Sequence, residues 1–474
     1  MTIKHLLLFL LVVLLLPFTS NGNEVVTLKG NAPDYSGYHI SFYRLADAIS
    51  GNKEVVGTIN IDSDGNFNSH FNISEITYCF AEFDAYHASI YLTPGANYQL
   101  AFPPVKKVPE AQKRSQFFKP DEISFELKGN SNSDINQLIK SFEVAYMKEE
   151  SRYFNQIYRL HSEAAVDSLQ LHLRKQFPKT NNSYFENYKF YRLASAEFAL
   201  NQGHSENFVK TYFIDHKPNL KIPTCTKLFH QLFTNYFTFE GNSLHGKAFK
   251  ILVGRAELDG LQNYFTKTKG WNANLSRLVI LQSINDAYYQ GEFPKSSLLR
   301  LLDKITASNW PSLEKTIASR VKEKLTYLQV GSQAPDITMT DFSGNKHRLS
   351  DFEDKYIYLT FTRVSNPICR QHLDQLKKMG PSVLNQLHVI NLIMPEEADK
   401  KQRVIQQNWP GKFYIVSDKA ADKYRVMNFP LAYLIDKNGK LVYSPAPNPL
   451  DGFERRFIGL LKQKRLDRLR NQSK

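Results

Sequence analysis

Phe361-Thr362-Arg363-Val364-Ser365-Asn366-Pro367-Ile368-Cys369-Arg370 is the stretch on which the fold turns. The run before it, from Lys355 to Phe361, is aromatic and β-branched and suits a buried central strand. After it a helical pattern continues from Cys369 to about Met379. A thiol at the start of a helix is a reactive position, because the helix N-terminus stabilises a thiolate. Disulfide exchange needs an attacking thiolate and a second thiol three residues away to resolve the mixed disulfide. Only Cys369 is present here; position 366 holds Asn, which is neither nucleophile nor leaving group.

The flanking motifs place this stretch. Gly331-Ser332-Gln333-Ala334-Pro335-Asp336 leads into Asp341-Phe342-Ser343-Gly344 and Leu349-Ser350-Asp351-Phe352. A second apolar run, 387–394, follows the helix, and farther on come Tyr424, Val426, Phe429-Pro430, Tyr433-Leu434-Ile435-Asp436 and Gly439. In this order the motifs resemble TlpA/ResA-like thioredoxin domains, in which Trp-Cys-x-x-Cys occupies the place of residues 365–369 here. The resemblance implies that Ser365 stands for the Trp, Asn366 for the first Cys and Cys369 for the second. It also implies that Pro430 is cis and faces the motif across a groove that binds extended polypeptide in active relatives. The groove residues are then Ser365, Asn366, Pro367, Ile368, Phe429 and Pro430, and Cys369 is the one candidate catalytic residue. Asn438-Gly439 between apolar runs reads separately as a hairpin turn in which both residues take positive φ.

The rest of the chain reads as two further parts and a leader. Lys4 and His5 before an apolar stretch from Leu6 to Phe18, then small residues at 20–22, form a signal peptide over residues 1–22. The expected location is the periplasm, in soluble form; no Cys follows the apolar stretch to carry a lipid, the first being Cys79. Residues 23–129 alternate apolar and polar residues between turn clusters, as in an all-β sandwich. The Asp62, Asp64, Asn66 pattern reads as a turn, since the rest of a calcium loop is missing. Residues 130–328 switch to helical spacing, first at Ile135, Leu138, Ile139, Phe142, Ala145 and Tyr146, with stretches 184–200, 227–239, 275–289 and 296–305 behind it and breakers such as Gly203 and Pro218 between. Residues 329–474 are the α/β thioredoxin-like domain. The fold class is multidomain: an N-terminal all-β sandwich, a central α-helical domain and a C-terminal α/β domain.

Composition bounds the function. The chain has 474 residues, 42% of them hydrophobic, and a formal charge of +14. That charge invites a nucleic-acid reading, but the leader argues against it and no nucleic-acid motif is present. The most basic stretch carries Arg455, Arg456, Lys462, Lys464, Arg465, Arg468 and Arg470 around Phe453, Phe457, Leu461 and Leu466. It reads as a terminal helix packed on the sheet with a solvated basic face; contact with a membrane surface is the alternative. Cys79, Cys225 and Cys369 make no disulfide framework and read as separate buried thiols. His372, three residues after Cys369, reads as a solvated helix residue, because zinc requires more ligands than this pair. With no H-E-x-x-H, phosphate loop or G-x-S-x-G, neither cofactor nor metal is expected. The function expected is a binding or scaffold module for a periplasmic protein or peptide. The alternative is a monothiol oxidoreductase using Cys369. Peroxiredoxins share the fold and carry their reactive Cys at this place, but they have Thr and Pro where this chain has Asn366 and Thr362.

Overall fold

The computed structural model describes residues 24–109, 118–129, 134–200, 206–244, 246–352 and 354–472. The leader, Gly203 and the two residues before Asp134 lie outside the described residues. The described residues divide into two compact units, one drawn from residues 24–107 and 119–322, the other mainly from residues 323–472. The β-rich and helical parts therefore share one unit.

In the first unit the strands are β1 (Glu24–Asn31), β2 (His39–Leu45), β3 (Lys53–Asn60), β4 (Asn66–Ile73), β5 (Thr77–Phe83), β6 (Tyr86–Leu92), β7 (Asn97–Ala101), β8 (Asp121–Ser124) and β9 (Glu126–Leu127). They form a four-stranded sheet in the order β4-β1-β7-β9 and a five-stranded sheet in the order β3-β2-β5-β6-β8. Alternate residues face inward, so Val26, Leu28, Phe42, Ile59, Phe71, Ile90 and Tyr98 build one core between the sheets. The helices begin at Ile135–Tyr158, where Asp134 caps the first turn by accepting from the Asn136 N–H. Asn136 then binds the sandwich as a strand would: its amide donates to the Tyr91 carbonyl and accepts from the Tyr91 N–H, each at 2.8 Å. Arg320, on helix Ser312–Thr326, adds ion pairs to Asp47 at 3.4 Å and Glu54 at 2.8 Å.

The stretch read as one helix over 227–239 is two, Pro223–Phe233 and Tyr236–Gly241. Between them an extended Thr234, φ −62° and ψ 134°, ends the first helix, and Asn235, left-handed at φ +58°, leads into the second. Helices Glu163–Gln176 and Gly246–Gly254 were not anticipated.

The second unit holds β10 (Thr338–Asp341), β11 (Lys346–Arg348), β12 (Tyr356–Phe361), β13 (Leu387–Ile393), β14 (Lys412–Ile415), β15 (Leu431–Ile435) and β16 (Leu441–Tyr443). Their order is β11-β10-β14-β13-β12-β15-β16. β12 runs parallel to β13 and antiparallel to β15. Because β12 is covered on both faces it reads as an unbroken apolar run. Ile357, Leu359 and Phe361 enter one core, and Tyr358 enters the other beside Leu373, Leu376, Phe453 and Phe457.

The β15–β16 turn departs from the expected type. Gly439 alone is left-handed, at φ +74°, and the Asp436 carboxylate accepts the N–H groups of Asn438 and Lys440, each at 2.9 Å. That Asx geometry supersedes the two-residue turn. Asp62 and Asp341 hold the turns before Asn66 and Asn345 in the same way. Among the described residues no helix is long and apolar enough to cross a membrane.

Candidate functional site

The site is built where β12 gives way to helix Pro367–Lys377. Strand pairing continues one residue past β12, with the Thr362 N–H donating to the Leu392 carbonyl at 2.9 Å. The chain then turns, the Asn366 N–H donating to the Arg363 carbonyl at 3.1 Å. Asn366 is the helix N-cap: its Oδ1 accepts from the Ile368 N–H at 2.8 Å. Pro367 follows in the first helical position, where its fixed φ fits and its missing N–H costs nothing. Asparagine at the cap and proline next to it are a strong local instruction to start a helix here.

Two charged side chains hold the turn from opposite sides. Arg370 donates to the carbonyls of Val364 and Ser365, at 3.1 and 2.7 Å. Glu397, from the segment Pro395–Lys400 after β13, is 3% exposed. Its carboxylate accepts the Val364 N–H, the Ser365 hydroxyl and, at 3.2 Å, the Ser365 N–H. Burial of a carboxylate is tolerated only with such a set of donors. Arg363 donates to Glu396 at 2.7 Å and holds its guanidinium 4.6 Å from the centre of the Phe429 ring.

Cys369 lies on the inward face of the helix and is fully buried. Burial pushes its thiol above the ordinary range, and the Glu397 carboxylate adds to the effect. The neighbouring Arg363 backbone and charge and the Thr362 side chain offset it only in part. All three cysteines are free and buried, and burial drives Cys79 and Cys225 to about 12. His372 is not solvated: it is 7% exposed, because Cys369, His372, Leu373 and Leu376 share one face at helical spacing. Burial lowers its pKa, with Asp451 opposing, and among the described residues its Nδ1 has no hydrogen-bond partner.

The residues expected to line a groove differ in exposure. Ser365, Pro367 and Ile368 are exposed, Ile368 at 55%; Asn366, Phe429 and Pro430 are half-buried. The Phe429–Pro430 peptide is cis. Arg363 brings the motif and Phe429 together, whereas Cys369 faces away from solvent. Glu397 escaped the sequence reading, and Arg363 and Arg370, which that reading offers only as charges near the Cys369 thiol, hold the turn and meet Phe429 instead. The available signal was the acidic pair Glu396-Glu397 just past β13, since strands β12 and β13 are parallel neighbours and Phe361 pairs with Leu392. Among the described residues no group of three or more His, Cys, Asp or Glu is placed to hold a metal ion.

Comparison with known proteins bears on the C-terminal part of the chain. Residues 330–444 match the AhpC/TSA family. Thioredoxin-like protein YneN of Bacillus subtilis is 32% identical over 117 residues, 24% of this chain and 68% of the relative. Thiol-disulfide oxidoreductase ResA of Geobacillus kaustophilus is 30% identical over 129 residues, 27% of this chain and 74% of the relative. A solution structure of a thiol:disulfide interchange protein from a Bacteroides species is 24% identical and covers 28% of this chain and 92% of its own, with a TM-score of 0.26. Through residues 330–444, in which the capped turn and its buried carboxylate sit, the chain belongs to the AhpC/TSA family of thioredoxin-like proteins and is kin to the ResA and YneN proteins.

Proposed function

We propose that this chain is an exported thioredoxin-like protein that has given up dithiol exchange and uses the groove of its α/β domain to bind an extended polypeptide. The observation that carries the reading is the role of residue 366. Where a dithiol enzyme needs an attacking thiolate, Asn366 spends its side-chain oxygen on the Ile368 N–H. The helix N-terminus that would stabilise a thiolate is thus satisfied by a neutral cap. Cys369, buried and with its thiol pushed up, supports the same reading and speaks against a monothiol oxidoreductase. The basic and apolar leader over residues 1–22 supports export. Recognition rests on Ile368, Phe429 and Pro430, with Ser365, Asn366 and Pro367 shaping the rim; the occupant is a periplasmic protein or peptide in extended form.

The test is insulin reduction by dithiothreitol. The purified protein leaves the uncatalysed rate unchanged, while Asn366→Cys, which recreates the two-cysteine spacing with Cys369, accelerates it. Robust turnover by the parent protein would overturn the proposal. Binding is read with a reduced, alkylated polypeptide: Phe429→Ala weakens its capture by about 1–2 kcal/mol, the range for truncating one interface aromatic, with the circular dichroism unchanged.

A further inference from the structure

The C-terminal helix Phe453–Gln472 is packed at one end only. Phe453 and Phe457 are fully buried, Leu460 and Leu461 are half-buried, and every residue from Lys462 to Asn471 is exposed. That is about 15 Å of helix beyond its own core. Along it Lys462, Lys464, Arg465, Arg468 and Arg470 face a single acid, Asp467. The same stretch exposes Leu466 at 50% and Leu469 at 55%, and Ile458 is open just before it. At 3.6 residues per turn, Ile458, Lys462, Arg465, Leu466 and Leu469 fall on one face about 100° wide, turned away from the face of Phe453 and Phe457. The expectation that Leu466 packs on the sheet with Phe457 is thereby corrected.

We infer that this helix seats on the surface of an anionic phospholipid bilayer. Its cations meet the headgroup phosphates, and Ile458, Leu466 and Leu469 enter the boundary with the acyl chains. Charge complementarity selects an anionic surface, and the leucines set among the cations select lipid, since a polynucleotide gains from the cations alone.

The experiment is co-sedimentation of the full-length chain with vesicles of phosphatidylcholine alone or with 30% phosphatidylglycerol, at about 0.1 M salt, where screening acts beyond about 10 Å. The leader, with its own Lys4 and His5, is common to all variants, so the change from parent to variant in the ratio of the two partition coefficients is the readout. The parent prefers anionic vesicles. Lys462→Glu with Arg465→Glu lowers that partition at least ~30-fold, at the usual contribution per basic residue near a membrane. Leu466→Ser with Leu469→Ser lowers it roughly tenfold. These side chains are exposed, so the fold is retained. Equal binding to both vesicles, or full binding by the charge-reversed variant, would overturn the inference. So would binding to a DNA duplex as strong as to the vesicles and indifferent to the two leucines, which would make the helix a general polyanion site.

Discussion

Replacing Glu397 with alanine tests whether the buried carboxylate is what holds the motif turn. The substitution removes the acceptor of three hydrogen bonds, from the Val364 N–H, the Ser365 N–H and the Ser365 hydroxyl. Val364 is fully buried, so its N–H finds no water and costs about 1–3 kcal/mol. Ser365 is exposed and recovers water, so each of its bonds forfeits only the net value of about 0.5–1.5 kcal/mol. The sum is about 4 kcal/mol, which falls to about 3 kcal/mol once a charge no longer has to be desolvated. Glu397→Gln keeps one acceptor oxygen for Val364 and costs about half as much. For a unit of this size the alanine variant should melt about 6–12 °C lower, at 2–4 °C per kcal/mol. Hydrogen exchange localises the effect: the peptide covering residues 361–370 loses protection first, with the glutamine variant between parent and alanine. An alanine variant that melts within about 2 °C of the parent, with unchanged exchange over that peptide, would refute the reasoning.

His372 gives the second unit a pH dependence of defined sign. Its folded-state pKa lies below the ordinary value of about 6.5, so its contribution is complete above that value and is lost as pH falls through the folded pKa. Stability measured between pH 7 and pH 5, above the range in which Asp336 and Asp354 titrate, should fall with a slope of at most about 1.4 kcal/mol per unit. His372→Leu should flatten that segment, and an unchanged slope would remove His372 as its source. Cys369 should stay unalkylated by iodoacetamide at pH 8 in the native protein and react once guanidinium exposes it. Sulfenic acid at Cys369 after mild peroxide, read by mass spectrometry, would contradict the sheltered thiol.

What the sequence made legible was whatever depends on local order. β12 and the helix after it follow from an apolar run, an Asn-Pro start and helical spacing, and the strands of the sandwich follow from alternation. Contacts between segments far apart in sequence were not legible. Glu397 reaches the turn only because β13 lies parallel to β12, and the acidic pair it forms with Glu396 does not by itself say which N–H groups it accepts. His372 was misread because its polarity outweighed its spacing with Leu373 and Leu376, although spacing decides which face a helix buries. The same holds for the break at Thr234 and Asn235, where an extended and a left-handed residue inside an aromatic run split a helix that periodicity continues.

The burial of all three thiols has a practical side. Cys79 lies between the sheets of the sandwich, Cys225 within the helical part and Cys369 beneath the motif turn, and each is fully buried. The native chain therefore presents no thiol to reagents, and it is a ready background for site-specific labelling without removal of its own cysteines. A single cysteine introduced at an exposed position, such as Ile368 at the groove or Leu469 on the terminal helix, would be the one addressable site. A fluorophore or spin label placed there would report on each surface separately, in a molecule whose interior sulfur is left as it is.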